Sequence, residues 1–580
     1  MFGKYFSKKQ NAGFYLPGEE IKIDKSRSFS SGLSYNNDPL SVCRKRMFFA
    51  ITCFFAIYLS IGIKLFNACL ASYFNKDIPQ RKISQRQNPI KRADIVDRNG
   101  TIIATSLPTV HLYAKPNKII DAESAARSLA TVFPKLGYNR ILSILTEKST
   151  FEYIQKNLSP NKQYQVNNLG IPGIYFEDVE KRVYPQKNLF AHLIGKADID
   201  NNGISGIEMA MNERLTSSDI SLQLTVDVGI QDTIRMILKQ EMEKFQAIGA
   251  TAILMDVNTS EIISLVSLPD FDPNDNGRIE ERARFNMATK GVYEPGSVLK
   301  IFNTAMSLES GKVKVADSFD ATEPFKVNRR LIKDYRGENR WLSVPEILIY
   351  SSNIGSAKMA LKVGSSEQRN FLEKIKFFES LDVELVEKGK PLVPSRWSDV
   401  TTATIAYGYG LAVSPLHVVN AYSAVINGGI YHNPTLIKGS SKNKNGYRII
   451  SHNTSKAMRK LMRLVVTEGS GKKANVAGYE VGGKTGTAEK LSTGGSYVNR
   501  KVRTTFVSAF PISDPKYALI VMMDEPKATK ETFGYVTSGW NSVPTASKII
   551  SAIAPQLNLK ANFDLDEMRQ QKIIEASYQR

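Results

Sequence analysis

Cysteine and histidine are scarce in this chain of 580 residues, which has three cysteines and five histidines. The cysteines are Cys43, Cys53 and Cys69, all in or beside one apolar segment near the N-terminus. The roughly 500 residues after this segment need no disulfide and carry no thiol nucleophile. This absence excludes acyl transfer by a cysteine, as in sortases and cysteine L,D-transpeptidases. No two histidines stand at metal-ligand spacing, so we expect neither a zinc peptidase nor any other metal site.

One long apolar stretch lies near the N-terminus. Residues 47–63 are almost wholly apolar, and after Lys64 an uncharged stretch continues to residue 75. Together they supply the ~20 residues that cross a bilayer, with Lys64 able to extend toward an interface. The preceding leader is too long for a cleaved signal peptide, and no small-x-small cleavage site comes after it. We therefore predict an uncleaved transmembrane anchor over residues 47–72, preceded by a polar and net basic tail over residues 1–46.

Positive charge dominates the sequence, with a net charge of +21. The basic residues are scattered rather than collected in a stripe interleaved with aromatic residues, so we do not expect nucleic-acid binding. An anionic polymer other than nucleic acid and acidic membrane surfaces are better partners for this charge. Charge does not decide how the anchor is oriented, because basic residues lie close to it on both sides, within residues 44–46 and 76–86.

A serine and a lysine three residues apart form the first candidate catalytic pair. Ser297 comes directly after Pro295-Gly296, which breaks the preceding structure, and stands at the start of a predicted helix with an apolar face. Lys300 lies one turn further on the same side, within reach of the serine hydroxyl. A capping serine with an ordinary lysine explains the pair poorly, because a lysine on a buried face is costly unless it is paired or neutral. Three other Ser-x-x-Lys matches lack this setting: Ser159/Lys162, Ser441/Lys444 and Ser470/Lys473.

Two later segments carry side chains suited to acyl transfer without histidine. Ser351 and Asn353 stand at the start of another predicted helix, where both residue types are also favoured simply as caps. Lys484-Thr485-Gly486-Thr487 lies in a predicted short strand, whose glycines let another group approach its backbone. An edge strand of this kind can pair with an extended peptide, and Lys484 supplies a positive charge suited to a carboxylate. Each motif is common by itself, and their order and context make them informative.

The three motifs in this order resemble those of the class B penicillin-binding proteins, the monofunctional D,D-transpeptidases of peptidoglycan synthesis. Glu294 before Pro-Gly favours the division-type (FtsI-like) branch over the elongation branch, which usually has a proline there. Residues 539–544 depart from the family's usual small-residue stretch, and we expect this departure to affect only local packing. The resemblance spans about residues 90 to 550 and includes five further segments: residues 92–100, 180–185, 192–195, 203–208 and 407–416.

The resemblance implies an α+β fold, in which a penicillin-recognising serine transpeptidase domain stands on an elongated N-terminal pedestal with one transmembrane helix. The sequence pattern itself predicts an amphipathic helix over residues 230–245 and a hairpin formed by residues 252–257 and 261–266. Further strands are predicted over residues 505–510 and 518–523, so we expect an α+β catalytic domain in which helices flank an antiparallel sheet. The predicted domains are a cytoplasmic tail (1–46), the anchor (47–72), a non-catalytic pedestal of dimerisation type (76–222), the transpeptidase domain (223–555) and a C-terminal tail (556–580).

The resemblance also assigns roles to the motif residues. Ser297 would attack the penultimate D-Ala carbonyl of a stem pentapeptide, and Lys300 would be the general base, with its pKa lowered by burial and by Lys484. Ser351 would pass a proton to the leaving amine, and Asn353 would hold Lys300 and the substrate amide. The remaining assignments are Thr485, Gly486 and Thr487 for substrate binding, and the backbone N–H groups of Ser297 and Thr487 for the oxyanion hole.

The implied partners are peptidoglycan stem peptides, a membrane glycosyltransferase and other division proteins, with β-lactams as covalent inhibitors and no cofactor. The implied location is the bacterial cytoplasmic membrane, with the N-terminus inside and the catalytic domain outside. Several alternatives share part of this pattern. They are an elongation-type transpeptidase, a D,D-carboxypeptidase, a β-lactam-hydrolysing or β-lactam-sensing protein, and a non-catalytic division scaffold.

Overall fold

The computed structural model describes residues 39–74, 92–275, 277–440, 445–491 and 497–563. Of these, residues 39–74 belong to one compact unit and residues 92–563 to another. Most of the predicted N-terminal tail, the linker before residue 92 and the C-terminal tail from residue 564 onward lie outside the described residues.

The N-terminal unit contains one long helix, α1, which spans Pro39–Phe74. Within it, Met47–Phe66 is long and apolar enough to cross a membrane. At about 1.5 Å of rise per residue, such a stretch matches the ~30 Å hydrocarbon core of a bilayer. The helix begins at Pro39, eight residues before the predicted anchor, so its first two turns come from the segment predicted as tail.

The first part of the second unit is a small α/β module. Its strands are β1 (Ile95–Val96), β2 (Ile102–Ala114), β3 (Glu152–Leu158), β4 (Ile174–Val183) and β5 (Leu222–Gln223). Its helices are α2 (Ala122–Val132), α3 (Tyr138–Leu145), α4 (Pro160–Asn168), α5 (Ala191–Ile194), α6 (Gly206–Ala210) and α7 (Asn212–Ser217). The strands lie in the order β3-β2-β1-β5, and β4 also pairs with β2. Apolar side chains of β2 and β3 pack against α2, α3 and α4 in one core cluster.

A buried ionic cluster joins distant segments of this module. The two carboxylate oxygens of Glu208 accept hydrogen bonds from Nε of Arg92 and Nε of Arg182, each at 2.7 Å. Glu208 and Arg92 are almost completely buried. Arg92 also donates to Oδ1 of Asn212 at 2.8 Å, so the cluster connects the start of the module with β4, α6 and α7. Each charge depends on its partners because water does not reach it.

The rest of the unit is a larger α+β domain. Its helices are α8 (Val228–Lys244), α9 (Glu281–Arg284), α10 (Leu299–Glu309), α11 (Val344–Ile349), α12 (Asn353–Val363), α13 (Ser365–Lys374), α14 (Asp399–Tyr407), α15 (Pro415–Ile426), α16 (His452–Thr467) and α17 (Ser542–Ile553). Its strands are β6 (Gly249–Asp256), β7 (Ile262–Leu268), β8 (Ser318–Asp320), β9 (Phe325–Val327), β10 (Arg330–Ile332), β11 (Trp341–Ser343), β12 (Ile430–Tyr431), β13 (Tyr447–Arg448), β14 (Gly482–Leu491), β15 (Tyr497–Phe510) and β16 (Tyr517–Asp524).

Five of these strands form the central sheet, in the order β14-β15-β16-β6-β7. All four of its strand pairs are antiparallel. The predicted hairpin is confirmed as β6 and β7, and the predicted amphipathic helix before it as α8. The predicted α+β class, with an antiparallel sheet flanked by helices, is therefore confirmed.

Alternate residues of the central strands face two different cores. In β6, Ala252 and Leu254 join the cluster that contains α8 and α17, whereas Ile253 and Met255 join the cluster that contains α10 and α15. A strand covered on both faces has no polar face, which explains why its sequence is continuously apolar rather than alternating. The sheet is thus a buried layer, and β14 is at one edge of it.

The buried ionic cluster makes a direct test of stability possible. Glu208→Gln leaves two buried guanidinium groups without their counter-charge, and we expect a loss of about 3–5 kcal/mol in the free energy of unfolding. Urea denaturation followed by circular dichroism measures this change. The control is Glu123→Gln, which removes an exposed partner of Arg127 and is expected to cost less than about 0.5 kcal/mol. Equal effects of the two substitutions would contradict the role of the cluster.

Candidate active site

The Ser297 turn is packed against two other backbone segments. Ser297 lies in a short 3₁₀ turn, Gly296–Val298, that leads directly into α10. A Cβ atom on Gly296 would lie 2.9 Å from the carbonyl oxygen of Thr487, and one on Gly408 would lie 2.0 Å from the carbonyl oxygen of Gly296. Only residues without side chains allow this approach. The turn is therefore held between β14 and the segment after α14.

The amine of Lys300 points at the hydroxyl of Ser297. Its Nζ lies 2.9 Å from Oγ of Ser297, 2.7 Å from the carbonyl oxygen of Ser351 and 2.7 Å from Oδ1 of Asn353. Oγ of Ser351 is at 3.2 Å. Lys300 is fully buried. The first and second motifs therefore meet at one amine, although more than fifty residues separate them in the sequence.

The neighbours of this amine suit its neutral form. The carbonyl oxygen of Ser351 and Oδ1 of Asn353 can only accept, and a neutral amine has two N–H groups to donate to them. Its lone pair is then left for the hydroxyl proton of Ser297. The orientation of the Asn353 amide is set by its other end, because Nδ2 donates to the carbonyl oxygen of Lys333 at 2.9 Å.

Burial and charge act in the same direction on Lys300. Loss of solvent holds the pKa of Lys300 well below its ordinary value, and the nearby charge of Lys484 lowers it further, while Asp334 acts in the opposite direction. Burial also lowers the pKa of Lys484 to about 7. Because Lys300 experiences the charge of Lys484 in addition to its own burial, we expect Lys300 to be the amine that is neutral.

Ser351 lies between the two amines in a strained backbone conformation. Its φ is 59°, a left-handed conformation that costs a non-glycine residue on the order of 1–3 kcal/mol. This conformation directs its carbonyl oxygen toward Lys300, and its Oγ lies 3.0 Å from Nζ of Lys484. The neighbouring Ser352 caps α12 by accepting from the backbone N–H of Gly355. Ser351 itself is thus not the cap, and its hydroxyl is left for chemistry.

The third motif lies on β14, whose partner on one side is β15. A Cβ atom on Gly486 would lie 2.6 Å from the carbonyl oxygen of Pro295. The group that approaches this predicted glycine-containing strand is therefore the Ser297 turn of the same chain. Oγ1 of Thr487 accepts from the backbone N–H of Ser538 at 3.2 Å, and Oγ1 of Thr485 lies 2.6 Å from Oγ of Ser470.

Three residues of this site were not predicted. Ser470 belongs to a Ser-x-x-Lys match that was set aside, and its hydroxyl nevertheless contacts Thr485. Ser538 precedes the departing segment 539–544, which we expected to affect only local packing. The backbone N–H of Ser538 donates to Oγ1 of Thr487, and the expectation for residues 539–544 stays a prediction. Asp334 contacts the start of α12 from a loop that carries no recognisable motif. The glycines on both sides of Ser470 are the one sequence signal that could have singled out any of these residues.

Comparisons with known proteins agree with this geometry. Residues 250–549 match the penicillin binding protein transpeptidase domain, and residues 87–244 match the penicillin-binding protein dimerisation domain. The structure is also similar to that of a peptidoglycan synthetase from Bifidobacterium adolescentis, with a TM-score of 0.66 and 21% identity over 82% of this chain and 96% of that one. A similarity at this level of identity shows the fold.

Two named relatives extend the match over most of the chain. A probable peptidoglycan D,D-transpeptidase, FtsI, of Caulobacter vibrioides is 34% identical over 491 residues, which is 82% of each chain. The peptidoglycan D,D-transpeptidase FtsI of Escherichia coli K12 is 28% identical over 84% of this chain and 87% of its own length. The chain therefore belongs to the penicillin-binding protein transpeptidases that carry an N-terminal dimerisation domain.

Proposed function

We propose that this chain is a division-type peptidoglycan D,D-transpeptidase that works through an acyl-enzyme on Ser297. The observation that carries the proposal is the 2.9 Å contact between Nζ of Lys300 and Oγ of Ser297, in a buried cluster with Asn353. The relatives named FtsI support the reaction and the division role. The apolar helix α1 supports a membrane anchor. The proposed reaction then requires the catalytic domain to lie on the outer side, because peptidoglycan lies there.

Acylation begins with proton transfer within the buried cluster. The neutral amine of Lys300 takes the hydroxyl proton of Ser297, and Oγ attacks the penultimate D-Ala carbonyl carbon of a donor stem peptide. The backbone N–H groups of Ser297 and Thr487 stabilise the resulting oxyanion, each by roughly 3 kcal/mol. The close approach of Gly296 to Thr487 supports this pairing, because it brings the two backbones together.

Collapse of the tetrahedral intermediate needs a proton for the leaving amine. Ser351 Oγ lies within reach of both lysine amines, so it can donate to the D-Ala nitrogen and regain a proton from Lys300. The carbon–nitrogen bond breaks as the ester to Ser297 forms. The amine of a second stem peptide then attacks this ester, and its proton returns through the same cluster to Oγ of Ser297. The product is a cross-link, and the enzyme is regenerated without a cofactor.

The donor's terminal carboxylate fits the hydroxyl groups on β14. Thr485 and Thr487 alternate with Gly486, so their side chains lie on one face of the strand. Lys484 adds positive charge from within the cluster, and Ser470 adds a hydroxyl beside Thr485. A β-lactam, whose strained amide and carboxylate imitate the donor terminus, would acylate Ser297 by the same route.

The alternatives differ in the fate of the acyl-enzyme or in whether one forms. A carboxypeptidase would hydrolyse the ester with water, and a β-lactamase would turn over nitrocefin beyond one equivalent. A non-catalytic scaffold would still support division when Ser297 is replaced by alanine. The dimerisation-domain match over residues 87–244 favours a transpeptidase, since β-lactam hydrolysis needs no such module. Analysis of released D-Ala and cross-linked products, with and without an acceptor amine, separates transpeptidation from hydrolysis.

The first prediction from the proposed function concerns the nucleophile. Ser297→Ala should lose all covalent labelling by a fluorescent penicillin while the protein remains folded, because no other group in the cluster forms the ester. Intact mass and peptide mapping measure the label. Ser159→Ala, which changes a set-aside Ser-x-x-Lys match, should label like the parent chain. A label that persists in Ser297→Ala, or maps to another peptide, would contradict the proposal.

The second prediction concerns pH. The pKa of Lys300 lies well below its ordinary value of 10.5. The reactive neutral amine is therefore already the main form at pH values well below 10.5. It is lost by protonation when the pH falls further. The rate of acylation at saturating penicillin, which excludes the effect of the Lys484 charge on carboxylate binding, should therefore reach its plateau well below pH 10.5 and decline on the acid side. Acylation rates measured at a series of pH values give this profile. A rate that is still rising as the pH approaches 10.5 would show an ordinary lysine instead.

The third prediction concerns the carboxylate site. Ser470→Ala removes the hydroxyl that contacts Thr485, and we expect acylation by a penicillin to slow by about tenfold, mainly through weaker binding before acylation. Saturation kinetics separate this binding effect from the chemical step. Ser470→Thr should retain most of the rate. An unchanged binding constant in Ser470→Ala would contradict the role of this hydroxyl.

A further inference from the structure

A short loop between β10 and β11 contacts the second motif through Asp334. Its Oδ1 accepts from the backbone N–H groups of Asn353 at 2.5 Å and Ile354 at 3.0 Å, and its Oδ2 accepts from Oγ of Ser352 at 2.7 Å. All three donors belong to the first turn of α12 or to its cap. One carboxylate from a different element therefore holds the start of this helix.

This contact satisfies groups that the helix itself cannot. The first N–H groups of an α-helix have no carbonyl partner within the helix, and a negative charge at that end is favoured. Ser352 accepts from Gly355 and donates to Asp334, so the two caps are linked in one chain of hydrogen bonds. Asp334 thus fixes the backbone at the point where the motif passes from Ser351 into the helix.

The residue before Asp334 fixes the side chain of Asn353. The carbonyl oxygen of Lys333 accepts from Nδ2 of Asn353, which leaves Oδ1 facing Nζ of Lys300 at 2.7 Å. The loop is held on its other side by Arg336, which donates to the hydroxyl of Tyr535 at 2.9 Å. Backbone and amide of Asn353 are therefore both held by two adjacent residues of an anchored loop.

We propose that Asp334 is a positioning residue for acyl transfer, which acts by fixing the start of α12 so that Asn353 and Ser351 hold the amine of Lys300 toward Ser297. The inference rests on the proposed role of Lys300. Asp334 does not touch the reacting atoms in this arrangement. It acts through Asn353, and its carboxylate is also part of the charge around the amine.

Two charged side chains act on the Lys300 amine, and they have opposite effects. Lys484 on β14 favours the neutral amine, whereas Asp334 in the loop favours the protonated one. Removing the charge of Asp334 should therefore lower the pKa of Lys300 further. This consequence distinguishes a direct effect of Asp334 on the active site from general support of the fold, which would leave the pH dependence unchanged, and the coupling to Asn353 tests the positioning itself.

The test is the pH profile of penicillin acylation in Asp334→Asn, measured with the full-length chain in detergent. We expect the plateau rate to fall by about tenfold or more, and the acid limb to move to lower pH. Asp121→Asn is the matched control, because Asp121 also caps a helix through a backbone N–H but lies in the dimerisation module. Its rate and profile should match those of the parent chain.

Two further measurements complete the test: the variant Asp334→Glu, and the double variant of Asp334→Asn with Asn353→Ala. Asp334→Glu keeps the charge, so its acid limb should stay near that of the parent even if its plateau falls. In an Asn353→Ala background, Asp334→Asn should have little further effect on the rate, because Asp334 acts through Asn353. Melting curves identify variants that fail to fold, and if Asp334→Asn is one of them, Asp334→Glu is tested in the Asn353→Ala background, where it too should have little further effect on the rate.

The outcomes separate this inference from the proposed function. Parental acylation at Ser297 overturns the role of Asp334 alone if Asp334→Asn keeps the parental plateau rate, or if its acid limb does not move and its effect adds fully to that of Asn353→Ala. Absence of acylation in the parent chain overturns the proposed function, and this inference with it.

Discussion

The amines of Lys300 and Lys484 are both fully buried, and both reach Oγ of Ser351, at 3.2 and 3.0 Å. Two ammonium groups this close repel each other, and neither is hydrated in such a site. The cluster is stable only if one of them gives up its proton. The surroundings of Lys300 favour it as the neutral amine. The carbonyl oxygen of Ser351 and Oδ1 of Asn353 accept its two N–H groups, and the hydroxyl of Ser297 faces its lone pair. The same constraint that makes the cluster costly to fold also makes Ser297 reactive.

Close backbone packing keeps the cluster in place. Gly296, Gly408 and Gly486 lie where a side chain would collide with a neighbouring main chain, so the Ser297 turn, β14 and the segment after α14 contact one another directly. The helix α10 and the central sheet supply the apolar layers that exclude water from this junction. Strain at Ser351 is tolerated there because Lys300 binds its carbonyl oxygen and Asp334 holds the next turn. Reactivity in this site therefore depends on contacts spread over most of the catalytic domain.

The helices and strands that follow a regular local pattern of apolar residues could be predicted from the sequence. The helix α8, the hairpin of β6 and β7 and the later strands β15 and β16 were predicted from the local sequence pattern. Ser297, Lys300, Ser351, Asn353 and the β14 motif were all predicted to meet, and the structure brings them together. These residues could be singled out because each motif places reactive side chains only a few residues apart in the sequence. The order of the motifs also resembles that of a known family.

The residues that were missed act across long sequence separations. Asp334 reaches Asn353 from a loop without a motif, and Ser470 reaches Thr485 from a turn that resembled a chance match. Their roles depend on which loops fold next to each other, which no local pattern records. The glycine of the β14 motif was interpreted as room for a partner, whereas the Ser297 turn fills that space. A glycine in the sequence indicates that some group approaches the backbone closely at that position. It does not identify which group of the folded chain or of a ligand that is.

The most direct test of this account is the protonation state of Lys300 itself. Carbon-13 labelling of lysine side chains, with the Lys300 resonance assigned by its loss in Lys300→Arg, allows its titration to be followed by NMR. The account predicts a signal characteristic of a neutral amine at pH values well below 10.4, the usual pKa of lysine, with no transition near that value. A Lys300 resonance that titrates near that usual value would contradict the central claim, because the base would then be protonated when the enzyme works.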